Sequence, residues 1–149
     1  MELIIIFFAK YLGYILLAAF LILFLNNQRK DFLIVPLFSA LLSRFVFTEI
    51  IRFFYFRQRP FVVEAFIPLI NHAPTASFPS GHAAFFFALS AGIYSFNKKA
   101  GLWFFAASSL LSFARVFAGL HYFTDVLGGF IVGFLSYLLV KKLSSLKLL

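Results

Sequence analysis

Two histidines, an aspartate and three arginines stand at spacings that chemistry could use. His121 and Asp125 lie four residues apart in "HYFTD". On a helix, or in a turn entering one, that spacing lets the carboxylate reach the ring. A carboxylate that accepts one ring N–H fixes the tautomer and leaves the other nitrogen free to attack an electrophile. The same pair could start a metal site or cap a helix, with Thr124 a further cap. Arg52, Arg59 and Arg115 carry forked donors suited to oxyanions, and their presence beside the histidines argues against a metal cation. In "FPSGHA", Ser80 is a natural N-cap and Gly81 allows a ligand close to the backbone. The free N–H groups of the turn after Ser80 favour an anion. In that same turn stands His82, and an unperturbed histidine titrates in a range that suits proton transfer near neutral pH.

These residues need a scaffold, and the composition says which. The chain has 149 residues, 63% hydrophobic and 12% charged, and no cysteine. That is too apolar for an ordinary soluble domain, and it leaves no disulfide framework or thiolate site. The formal charge of +8 would suit nucleic acid. With so few charged residues it fits basic loops on one side of a bilayer better, and no nucleic-acid partner is expected. The length allows a single integral-membrane domain over residues 1–149. Five apolar stretches are predicted to be helices: Leu3–Leu25, Phe32–Phe56, Ala83–Phe96, Gly101–Ala118 and Val126–Val140. The first has no basic residue before it and exceeds the usual signal core of about 7–15 residues, so it is expected to span rather than to be cleaved. The twenty-five phenylalanines are expected to be lipid-facing filler.

If the five stretches alternate, Arg29, Lys30, Lys98, Lys99, Lys141, Lys142 and Lys147 share one side, which should be cytoplasmic. The N-terminus is then outside and the C-terminus inside. Arg57, Arg59, His82 and His121 fall outside or in the outer leaflet, against the bias, so their role is not topology. The three clusters, Arg52-x6-Arg59-Pro60, Pro79-Ser80-Gly81-His82 and Arg115-x5-His121-x3-Asp125, all fall on that outer side. A spanning helix needs about 20 residues. The third and fifth stretches are shorter, so their starts are expected to line a cleft sunk into the outer leaflet. Within the spans, Lys10 and Glu49 lie at similar depth and are expected to form an ion pair, while Arg44 has no assigned partner. Glu64 and His72 are expected in a solvated outer loop, with contact to substrate the alternative for His72, and "VVEAF" there could form a short helix. Gly129 and Gly133 form a small-xxx-small pattern expected to pack the last helix.

The three clusters resemble the signatures of the type-2 phosphatidic-acid phosphatase superfamily, K-x6-R-P, P-S-G-H and S-R-x5-H-x3-D, which also includes vanadium haloperoxidases. They occur in order between Arg52 and Asp125, about half the chain. Arg52 stands where the family usually has Lys, Ala114 where it has Ser, and Phe123 where relatives often have Pro. The resemblance implies an all-α membrane bundle and a cofactor-free, metal-independent lipid phosphatase. It implies that His121 is the nucleophile, forming a phosphohistidine, that Asp125 orients it, and that His82 protonates the leaving group. Arg52, Arg59, Ser80, Gly81 and Arg115 would hold the phosphate. Charge around the equatorial oxygens and in-line geometry are what phosphoryl transfer asks of a protein. The segment from Arg57 to Ala83 and the compact layout resemble the undecaprenyl-diphosphatase branch in particular. Its substrate is a polyprenyl carrier lipid whose terminal phosphate is removed outside the cell so that the carrier is recycled for wall synthesis. Phosphatidate or phosphatidylglycerophosphate is the alternative substrate, and a lipid-binding or transport relative the non-enzymatic alternative. Both histidines and the aspartate are retained, which favours the enzyme.

Overall fold

The computed structural model describes residues 1–27 and 30–146, in which all regular structure is helical. Arg29 and Lys147, counted above among the basic residues of one side, lie outside the described residues, as does the side chain of Lys30. Four helices are long and apolar enough to cross a bilayer: α1 (Glu2–Asn26), α2 (Phe32–Phe54), α5 (Lys98–Phe117) and α6 (Phe123–Ser145). Between them come a single turn, α3 (Pro60–Val63), and a short apolar helix, α4 (Gly81–Phe96). One expectation is corrected here. The last helix was read as short, but α6 has 23 residues. An apolar count stops at Asp125 and Lys141, whereas the backbone continues, because the Asp125 carboxylate accepts the Tyr122 N–H at 2.9 Å and secures the first turn. Only α4 is short, about 24 Å at the helical rise against a hydrocarbon core of about 30 Å.

α4 tolerates that length because protein surrounds it. It packs on α2, α5 and α6, and nearly all of its residues from Gly81 to Ile93 are buried. Small residues let the neighbours approach. A Cβ on Gly129 of α6 would lie 2.6 Å from the Ser80 carbonyl oxygen, and one on Gly133 would lie 2.5 Å from that of Ala84. The pair therefore packs α6 on α4, as expected. Hydroxyls add polar links, Ser43 to the Ala84 carbonyl and Ser90 to Ser108, each at 3.0 Å. The phenylalanines are not all lipid-facing. Phe45, Phe53, Phe54 and Phe117 are exposed, but Phe20, Phe32, Phe86, Phe87 and Phe104 are core. Their bulk fills space that glycine, alanine and serine leave open between helices.

Alternation of the helices brings the ends of α2 and α5 and the starts of α4 and α6 to one end of the bundle. Lys98, Lys99, Lys141 and Lys142 stand at the other end, where Asn97 caps α5 by accepting the Ala100 N–H at 3.0 Å. The segment between α2 and α4 is irregular except for α3. The helix expected around "VVEAF" is only Pro60–Val63, since Ala65 takes a positive φ of 52° and stops it. Gly119 turns the chain from α5 toward α6 with a φ of 78°, a conformation side chains with a Cβ disfavour.

Gly133→Val should force α4 and α6 apart. An overpacking cost of about 1–3 kcal/mol is expected, read as a lower unfolding temperature in detergent by circular dichroism. An unchanged transition would contradict this packing.

Candidate active site

The three clusters meet at that one end, and backbone carbonyls and amides stitch them together. Arg52 at the end of α2 donates to the Pro79 carbonyl at 3.0 Å, which ties the first cluster to the second. The Ser80 N–H donates to the Asp125 carbonyl at 2.9 Å, which ties the second to the third. Arg59 donates to the Leu120 carbonyl at 2.9 Å, which ties the first to the third. Ser80 caps α4 by accepting the Ala83 N–H at 3.5 Å. Around the meeting point lies a cavity of about 70 Å³, lined by Arg44, Arg52, Arg59, His72, Thr75, Gly81, His82, Arg115 and His121. It has room for one phosphoryl group and not for a lipid chain.

The arginines are held by main chain and retain donors. Arg59 is buried and gives its guanidinium to the carbonyls of Thr75, Ala76 and Leu120 and to the Thr75 hydroxyl. Arg115 is buried and donates to the Ala9 carbonyl of α1 at 3.1 Å. The Nε groups of Arg52 and Arg115 are buried with no hydrogen-bond partner among the described residues. A buried donor without an acceptor is costly, and an oxyanion in the cavity would relieve it.

His121 is buried between an arginine and a carboxylate. Its Nε2 is 3.3 Å from Arg59 Nη1, and its Nδ1 is 3.5 Å from Asp125 Oδ2. Arginine can only donate, so Nε2 carries the lone pair and Nδ1 the proton. Asp125 is fully buried. It accepts from Arg57 at 3.0 Å, from the Tyr122 N–H, and from the Ser77 hydroxyl in a short hydrogen bond. Sequence reasoning missed Ser77, and of Arg57 it said only that its role is not topology, without placing it in the site. Arg57 also donates to Thr124 at 2.6 Å and lies 4.0 Å from the Tyr122 ring centre. No local pattern marks Ser77, and the only trace of Arg57 is a charge two residues before Arg59.

Two further expectations are corrected. Glu49 does not pair with Lys10; it accepts from Arg44, in a short contact, and from Arg52 at 3.2 Å. Equal depth does not fix the direction in which two helices point their side chains. The π-helical segment Ser43–Phe47 widens the turn of α2, so Arg44 reaches Glu49 five residues on. His72 is not a solvated loop residue. It is half-buried, lines the cavity and bonds to the Ala73 carbonyl at 2.9 Å.

The PAP2 superfamily pattern matches residues 32–147. The chain belongs to the PAP2 superfamily. Among its relatives, undecaprenyl-diphosphatase BcrC of Bacillus subtilis (strain 168) is 32% identical over 134 residues, covering 90% of this chain and 69% of that protein. The bacitracin transport permease protein BcrC of Bacillus licheniformis is 28% identical over 90% of this chain and 67% of that one. Phosphatidylglycerophosphatase B of Bacillus subtilis (strain 168) is 37% identical over 51% of this chain and 42% of its own. Among solved structures, Aquifex aeolicus LpxE superposes with a TM-score of 0.76 at 26% identity, covering 95% of this chain and 85% of that one. The PAP2-type phosphatidylglycerolphosphate phosphatase of Bacillus subtilis gives 0.65 at 25% identity, covering 97% and 76%. The chain is thus a multi-pass membrane protein and a PAP2 lipid phosphatase acting on a phosphorylated lipid.

The departures from the PAP2 signatures have local accounts. Arg52, in place of Lys, spans from Glu49 to the Pro79 carbonyl, a bridge that its fork makes. Ala114 packs with Ala9, Ala118 and Leu120, and Phe123 stacks on Phe113.

Burial lowers the pKa of Arg59 to about 10, with Arg52 adding to the effect, so it remains a cation at neutral pH. His72 is lowered too, first by burial and then by the surrounding arginines, against its bond to Ala73. Burial lowers His121 to about 4; Asp125 opposes the shift, and Arg59 and Arg115 reinforce it. The ring is therefore neutral across the physiological range. In the unfolded chain it takes a proton near pH 6.5. Its contribution to stability is present above that value and lost as pH falls toward about 4. Histidine-selective NMR in a background carrying His72→Gln and His82→Gln should place the His121 midpoint near 4. A midpoint above 6 would refute the assignment. Adding Arg57→Gln should raise the midpoint, by leaving the Asp125 charge less compensated.

Proposed function

We propose that this protein removes the terminal phosphate of undecaprenyl diphosphate, or a related polyprenyl diphosphate, through a phosphohistidine on the outer side of the cell membrane. One observation carries the reading: the lone pair of His121 Nε2 faces a cationic cavity of phosphoryl size, its other nitrogen turned to a buried carboxylate. Nε2 attacks the terminal phosphorus in line and the bridging P–O bond breaks. The bridging oxygen departs with the electron pair and takes a proton from His82. Arg52, Arg59 and Arg115, with the amides of the Ser80–Gly81 turn, hold the equatorial oxygens as charge redistributes. Asp125 keeps the Nδ1 proton in place and offsets the charge gained by the ring, while Ser77, Arg57 and Tyr122 keep Asp125 in place. Water then attacks the phosphohistidine, gives its proton to His82 and releases phosphate. Four basic side chains at the opposite end support an outward-facing site.

The substrate is inferred from the undecaprenyl-diphosphatase relative. The phosphatidylglycerophosphatase relatives favour phosphatidylglycerophosphate or phosphatidate as the second reading. Purified protein should release phosphate faster from a polyprenyl diphosphate than from either glycerolipid; the opposite order would select the second reading. His121→Ala should lose release by a factor of about 10³ or more, whereas equal release from wild type and variant would remove the nucleophile assignment. Losing one phosphate-binding arginine, as in Arg115→Gln, should cost about 10²–10³ in turnover. Vanadate should inhibit and chelators should not; inhibition by chelator would indicate a metal.

A further inference from the structure

The phosphoryl cavity has a larger neighbour. A groove of about 240 Å³ runs between α1, α2, α4 and α5 and shares Arg44, Gly81 and His82 with it. His82 therefore stands on the wall between the two spaces. Beyond that wall the groove becomes apolar, along Leu17, Phe85, Phe86 and Leu111. Near the wall it carries two cations, Lys10 and Arg44. Lys10 lies within a spanning helix yet forms no ion pair among the described residues; its ammonium is 5.4 Å from the Tyr11 ring centre. A charge inside a span is costly and marks a ligand path more often than a structural accident. Arg44 is pressed against the first turn of α4, where a Cβ on Gly81 would lie 2.6 Å from its Nε. The missing side chain at Gly81 is what admits the guanidinium there. Both cations sit in π-helical segments, Phe7–Tyr11 and Ser43–Phe47, where a widened turn re-aims side chains.

We propose that Lys10 and Arg44 form a second anion subsite, on the leaving-group side of His82, which takes the inner phosphate of a lipid diphosphate. The proposal rests on the phosphatase reading and adds the group that selects diphosphates. When the bond from the terminal phosphorus to the bridging oxygen breaks, the electron pair stays on the bridging oxygen of the lipid monophosphate, and negative charge builds there until His82 delivers its proton. Lys10 and Arg44 neutralise that charge where it develops, and the start of the lipid chain follows the apolar part of the groove. A monophosphate lipid has no second phosphate to place there and gains little from the two cations.

Farnesyl diphosphate and farnesyl monophosphate, which differ by one phosphate, test this with the full-length protein in detergent. Lys10→Gln and Arg44→Gln should each lower the ratio of kcat/KM for diphosphate over monophosphate by roughly tenfold or more, and Lys10→Arg should restore most of it. A ratio within about twofold of wild type, whether both activities fall or neither does, overturns the subsite. Binding of the non-hydrolysable methylene-bridged farnesyl diphosphonate gives a readout that needs no turnover. Lys10→Gln should weaken it roughly tenfold, and an unchanged affinity overturns the subsite. Wild-type protein that binds the diphosphonate in a Lys10-dependent way but cleaves neither lipid would sink the phosphatase reading and leave the subsite standing.

Discussion

An excess of guanidinium over carboxylate governs this structure. Arg44, Arg52, Arg57, Arg59 and Arg115 converge at one end of the bundle, and among the described residues Glu49 and Asp125 are the carboxylates that pair with them. Cations at that depth repel one another and lose hydration. Backbone carbonyls take up part of the strain by accepting from Arg52, Arg59 and Arg115. Those same bonds tie the loop and helix ends together, so the charge imbalance and the geometry of the site have one origin. The excess leaves the Nε donors of Arg52 and Arg115 buried without an acceptor among the described residues.

The second constraint is close approach. α4 delivers Ser80, Gly81 and His82 from the middle of the bundle, and it can do so because Gly129 and Gly133 let α6 lie against its backbone. The Ser80 amide then meets the Asp125 carbonyl, and a contact between helices becomes a contact between signatures. Gly119 does a similar service at the α5–α6 turn, where its left-handed backbone carries the chain from Arg115 to His121.

Much of this was legible in the sequence. The three signatures gave the family and the residues that converge, because each is contiguous and has fixed internal spacing. What was not legible depends on contacts between distant segments. Ser77 and Arg57 are 48 and 68 residues from Asp125, and nothing local marks them. The Lys10–Glu49 pair failed because similar depth does not say which way two side chains point, and Glu49 points to Arg44 and Arg52. Arg44 and Glu49, five apart, do not face each other on an ordinary α-helix, and only the π-helical turn makes them neighbours. The length of α6 was misjudged because hydropathy reports where lipid contact ends, and capping decides where a helix ends.

Under the proposed reaction, the two spaces that share His82 would give the two products different exits. The lipid product would leave the groove along exposed apolar residues of α1 such as Tyr14 and Leu17. A phosphoryl group on His121 would stand in the smaller cavity, which the irregular segment borders with His72 and Thr75. The phosphate would then leave toward that segment, and the lipid toward the apolar face of the bundle.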